Sequence, residues 1–135
     1  MKLFRSIIIC MTLCVASLVS AADPDIQAVY DRANDSFNEG KYDTAIQDYN
    51  KVIAQYPDLF EAYYSRGMAF YKKGKYDEAI SDFSRVVSNR PEQADALNSR
   101  ALAYLRKGEY ERAISDFNKV LSLNPRLIEA YYNRG

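Results

Sequence analysis

The sequence contains no histidine, and its two cysteines, Cys10 and Cys14, both lie in an uncharged stretch close to the N-terminus. The rest of the chain has neither imidazole nor thiol. Ser-His-Asp and Cys-His arrangements for nucleophilic catalysis therefore have no basis, and the usual nitrogen and sulfur ligand sets for a metal are missing. Disulfides are excluded beyond that stretch. Glycine is scarce, five in 135 residues, and none opens a phosphate-cradling loop. Basic runs are absent, and 18 basic residues balance 18 acidic ones. A nucleic-acid surface would show as a basic patch, so that partner class is set aside. Carboxylates are plentiful, but helix termini and solvent account for their positions. These absences describe a chain that is not an enzyme, with no cofactor, metal or small-molecule substrate.

Residues 1–22 have the layout of a secretory signal peptide. Lys2 and Arg5 precede 17 uncharged residues, Ser6 to Ala22, with an apolar centre from Ile7 to Val19. Val19-Ser20-Ala21-Ala22 offers small residues for cleavage after Ala21 or Ala22. An uncleaved anchor is the alternative, but this stretch is short and carries Ser6, Thr12, Ser17 and Ser20. Ile9 and Leu13 precede the cysteines where lipid attachment asks for a small residue. The expected product is exported, periplasmic or extracellular, and rests on packing alone.

What is present is a repeat. Gly40-Lys41-Tyr42-Asp43, Gly74-Lys75-Tyr76-Asp77 and Gly108-Glu109-Tyr110-Glu111 stand 34 residues apart. Ala45-Ile46, Ala79-Ile80 and Ala113-Ile114 follow in phase, as do Pro57, Pro91 and Pro125. A fixed period of this length means stacked supersecondary units that bury a continuous core together. The domain spans 23–135, with units 26–59, 60–93 and 94–127 and the opening of a fourth at 128–135. Each unit predicts two helices. Tyr63, Gly67, Phe70 and Tyr71 share one face of the first in unit two, and Gly74 stops it. The second opens near an acid (Asp43, Asp77 or Glu111), suited to the positive end of a helix dipole. It carries Ala79, Ile80, Phe83, Val86 and Val87 on one stripe, and proline then punctuates the chain. At the front, Asp23-Pro24 fits an N-cap followed by proline.

These residues resemble the tetratricopeptide repeat. That family's helix A asks for a large, a small and an aromatic residue, met by Tyr63, Gly67 and Phe70 and by Leu97, Ala101 and Tyr104. Its helix B pattern is matched by Ala45/Tyr49/Val52, Ala79/Phe83/Val86 and Ala113/Phe117/Val120. Unit one departs from it with Val29 and Ser36 and a polar helix A, which reads as a terminal repeat with a solvated outer side. The resemblance implies an all-α solenoid, a right-handed superhelix whose concave face is lined by the A helices.

Two sets of residues follow from the register. Arg32, Arg66, Arg100 and Arg134 recur in helix A, and Asp48, Asp82 and Asp116 in helix B. They predict a ladder of structural ion pairs, within a unit or to the next. On the groove side of helix A the expected binding residues are Tyr30, Asn34 and Phe37, then Tyr64, Met68, Tyr71 and Lys72, then Asn98, Leu102, Leu105 and Arg106, with Tyr132 in the fourth unit. The lane is apolar and rich in tyrosine, which gives contact area at small entropic cost. Its expected occupant is a protein or peptide. Some family members clamp a terminal carboxylate, but Tyr30, Ser65, Asp95 and Ser99 stand where that clamp asks for Lys, Asn, Lys and Arg. Only Asn34 agrees, so no clamp is expected.

Gly135 falls mid-helix by repeat phase, so a longer native chain is expected, with a natural short form capped by residues 126–135 as the alternative; in a longer chain, activity of its own beyond that point is the alternative function. Self-association through an uncapped C-terminal end is a further possibility.

Overall fold

The computed structural model describes residues 24–125. The leader, Asp23, Tyr132 and Arg134 lie outside the described residues. Within them the chain is all α-helical: α1 (Pro24–Asn38), α2 (Tyr42–Gln55), α3 (Phe60–Lys72), α4 (Tyr76–Asn89), α5 (Ala94–Lys107) and α6 (Tyr110–Leu123). Each helix packs on the next, and α1 touches α3 as α3 touches α5. The odd-numbered helices are therefore the A helices of three units, and the even-numbered ones the B helices.

The hairpin inside each unit has one cause, repeated three times. Gly40, Gly74 and Gly108 take φ of 76°, 76° and 79°, left-handed backbone that a side chain disfavours. After α3, the Gly74 N–H bonds the Tyr71 carbonyl at 3.0 Å and the Lys75 N–H bonds the Phe70 carbonyl at 2.9 Å. This is the paired closure of a Schellman motif, and the same pair of bonds follows α1 and α5. Each B helix ends differently. Tyr56, Arg90 and Asn124 leave the helical region before the prolines, as the residue ahead of a proline must.

Small residues set the approach of the two helices in a unit. Ala33, Ala101, Ala45 and Ala79 are fully buried, with Gly67 and Ala113 beside them in the pattern. At Gly67 the need is steric: a Cβ there would lie 2.8 Å from Phe83 Cε1 and 3.1 Å from Asp82 Cβ. Tyr49, Phe83, Leu97, Val52 and Val86 are the largest side chains wholly removed from water. Burying each aliphatic or Phe side chain stabilises the fold by about 1.5–3 kcal/mol. Cohesion between units comes from Ile26, Val52 and Ala62, with Val29, Tyr30, Ile53, Tyr56 and Leu59 packed around them. Ser36, where the repeat pattern asks for an aromatic, is itself buried, while Asp31, Arg32 and Asp35 on the same helix face solvent.

Candidate peptide-binding groove

Arg32, Arg66 and Arg100 each grip the B helix of their own unit. Arg32 Nε and Nη2 donate to Asp48 at 2.6 and 2.7 Å, Arg66 to Asp82 at 2.8 and 2.7 Å, and Arg100 to Asp116 at 2.7 and 2.8 Å. Two arginines also reach back to the preceding unit: Arg66 Nη1 donates to Asn50 Oδ1 at 2.6 Å, and Arg100 Nη1 to Ser84 Oγ at 3.1 Å. The arginine thus ties three helices together. Arg66 also lies over the rings of Tyr63 and Phe70. The pairs differ in burial: the Arg32 side chain is 57% exposed, those of Arg66 and Arg100 only 20% and 14%. Their acids respond differently. Arg32, with Lys51 adding to it, holds Asp48 below the usual carboxylate range. At Asp82 burial outweighs Arg66 and raises the carboxyl above its ordinary value.

On the opposite face a groove of about 330 Å³ opens between units one and two, lined by Asn34, Phe37, Asn38, Tyr49, Tyr64, Ser65 and Met68. Four of the residues expected from the register, Asn34, Phe37, Tyr64 and Met68, meet here. Tyr49 is buried beneath them and donates its hydroxyl to Asn34 Oδ1 at 2.7 Å, which leaves the Asn34 amide hydrogens for a ligand. Burial pushes the Tyr49 phenol up to about 12. It therefore stays protonated and remains a donor at neutral pH.

Tyr30 is not part of that lining. It packs edge-on against Tyr49 with ring centroids 5.9 Å apart, and its hydroxyl lies 3.4 Å from Ser65 Oγ. One unit on, Tyr64 repeats the contact with Ser99 Oγ at 3.3 Å. Phe37 and Tyr71 also stack edge-on against Tyr42 and Tyr76 at the start of their own B helices. In unit three the lane is open: Leu102 is 40% and Leu105 46% exposed and Asn98 faces solvent, as does Lys72 at the end of α3 in unit two. Arg106 Nε donates to the Tyr71 hydroxyl at 3.3 Å. Tyr132 lies outside the described residues.

Sequence reasoning passed over several of these partners. The repeat pattern assigns Tyr49 to the core alone, yet it also lines the groove and its hydroxyl bonds Asn34 there. Asn50 and Ser84 lie 16 residues before their arginines, a spacing that mirrors the one to the aspartates. Lys73 pairs with Asp43, and Lys107 Nζ reaches Asp77 at 2.5 Å. Those acids open B helices, so they bridge units as well as answering the helix dipole. The recurrence of lysine 30 residues after each acid was the available signal. Among the described residues no group of three His, Cys, Asp or Glu side chains comes together to hold a metal ion.

A tetratricopeptide repeat model matches residues 66–127, and a TPR repeat model matches residues 33–74. Among solved structures, the second TPR of Spaghetti (RPAP3) bound to the HSP90 peptide SRMEEVD is 32% identical, with a TM-score of 0.69, covering 73% of this chain and 92% of that one. The second TPR domain of human RPAP3 in complex with the HSP70 peptide SGPTIEEVD is 34% identical, with a TM-score of 0.70, covering 76% and 88%. A crystal structure of MamA is 28% identical, with a TM-score of 0.73, covering 85% of this chain and 68% of that one. No curated protein matches the sequence. This chain belongs to the tetratricopeptide repeat family.

Proposed function

We propose that the chain is an exported scaffold that binds a protein or peptide partner along the lane formed by its A helices and catalyses no reaction. The observation that carries this reading is the groove itself. Phe37, Tyr64 and Met68 line it with apolar surface, with Asn34 and Asn38 at hand to bond a backbone. The lane continues into exposed Leu102 and Leu105. Surface of this kind on an otherwise polar molecule is characteristic of an interface. RPAP3 TPR domains of the same fold hold peptides, which supports a similar use here. Export rests on the composition of residues 1–22, and a cleaved leader predicts a periplasmic or extracellular product.

The test is selection of a phage-displayed random dodecapeptide library on the chain, with the Tyr64→Ala, Met68→Ala double variant as comparator. Sequences enriched on the first and lost on the second support the groove. Enrichment that is equal on both contradicts it.

A second reading has an observation of its own. Tyr110 and Ile114 on α6 are 64% and 58% exposed, whereas their counterparts Tyr76 and Ile80 on α4 are half-buried. A second copy stacked on that face would cover them, and light scattering would then show a mass that rises with concentration.

A further inference from the structure

We infer that the groove takes an internal segment of an extended polypeptide, apolar where it meets the lane and acidic where it meets Lys72 and Arg106, and that it offers no seat to a free C-terminal carboxylate. This rests on the peptide-binding reading above and specifies its ligand.

A terminal carboxylate needs convergent N–H or ammonium donors, the charge-assisted contacts that hold such a group. The seams between neighbouring A helices, which border this groove, supply neutral hydroxyls already facing one another: Tyr30 with Ser65, and Tyr64 with Ser99. Beside them Asp95 stands in the first turn of α5, exposed and with no cation paired to it among the described residues. Glu61, its counterpart on α3, is held by Arg90 Nη1 at 2.6 Å. A carboxylate placed here would meet an uncompensated like charge.

The opposite edge has the opposite sign. Lys72 and Arg106 close α3 and α5, eleven residues beyond Glu61 and Asp95. At 1.5 Å per residue that is about 16 Å along the helices. The cations next to them in sequence, Lys73 and Lys107, are taken up by Asp43 and Asp77. Among the described residues Lys72 has no such acid, and the contact Arg106 makes is with the neutral phenol of Tyr71. The lane of Phe37, Met68, Tyr71 and Leu102 thus runs between an acidic and a basic edge. An extended chain crossing the A helices alternates its side chains, so apolar residues can face the lane while acids between them reach the basic edge. Neither requirement involves a chain end.

The experiment uses the whole chain and two probe sets. Fluorescence anisotropy is measured with SRMEEVD carrying a free carboxylate and with its C-terminal amide. In parallel, an array of random dodecapeptides is printed with blocked ends, and its binders are resynthesised with free and amidated C-termini. The inference predicts no saturable binding of SRMEEVD. It predicts array binders rich in Asp or Glu whose affinity changes by less than about twofold on amidation. Lys72→Glu with Arg106→Glu should weaken those binders about tenfold or more, and Lys72→Gln with Arg106→Gln should weaken them less. Both residues are exposed, and an unchanged circular dichroism spectrum checks that the fold is kept.

Groove-dependent binding of SRMEEVD that is lost on amidation would overturn the inference and leave the peptide-binding reading standing. So would array binders indifferent to both charge variants. Failure of every probe to bind, or binding that persists in the Tyr64→Ala, Met68→Ala variant, would remove that reading and the inference with it.

Discussion

Gly67 shows how far a single atom constrains this chain. Alanine is the better helix former by about 1 kcal/mol, and units one and three use it at the same position, Ala33 and Ala101. In unit two the missing Cβ would press on Phe83, which is wholly buried and has nowhere to yield. Overpacking typically costs about 1–3 kcal/mol, so Gly67→Ala should destabilise the fold despite its propensity gain. Urea denaturation should show a lower midpoint with an unchanged slope. Two aspartates make a second point at this scale, because the same residue type titrates in opposite directions. Asp48 is held down by Arg32, so the stability it contributes is present above its ordinary value of 3.8 and is lost as pH falls through its lower folded value. Asp82 is raised by burial, so the stability linked to its protonation is present below 3.8 and is lost as pH rises through its higher folded value. Carboxyl carbon NMR should place the two midpoints on opposite sides of that value. Coincident midpoints would refute the opposite shifts of the two carboxyls.

At the scale of the element, the arginine ladder decides how rigidly A helices seat on B helices. All three pairs have the same bidentate geometry, so burial and shared partners set their worth. The Arg66–Asp82 pair is shielded, and Arg66 also bonds Asn50 across the unit boundary. Hydrogen bonds to charged groups contribute about 1.5–3 kcal/mol, and a coupling in that range is expected from the Arg66→Ala, Asp82→Ala cycle. The Arg32–Asp48 cycle should give a smaller coupling that declines with salt, because Arg32 stands in solvent. Equal couplings at the two sites would show that burial does not set their strength. Neither helix ends nor turns need such measurements to be understood. The Schellman closures at Gly40, Gly74 and Gly108 follow from glycine in register with an apolar period, which is why they were legible beforehand.

For the whole molecule, legibility followed repetition. A feature present in three copies, such as the alanine approach, the glycine stop or the arginine and aspartate spacing, could be read from phase alone. Phase alone puts Tyr30 in the lane; its ring packs on Tyr49 of the same unit and its hydroxyl reaches Ser65 of the next, so it stands at the seam beside the groove. Tyr49 shows the converse: its ring satisfies the core pattern, while its hydroxyl bonds Asn34 at the groove. Ion pairs between units, such as Lys107 with Asp77, depend on how one hairpin rotates on the next, and that rotation is set by packing no single unit contains. The groove is likewise a property of neighbours, because Phe37 and Met68 belong to different units. The most direct test of the central claim is therefore methyl NMR of Met68, Leu102 and Leu105 during titration with a peptide selected on the intact chain. The account predicts saturable shifts at all three methyls, with the methyls of Val52 and Val86 in the core left in place. Shifts confined to Ile114 on α6, with the lane silent, would contradict it.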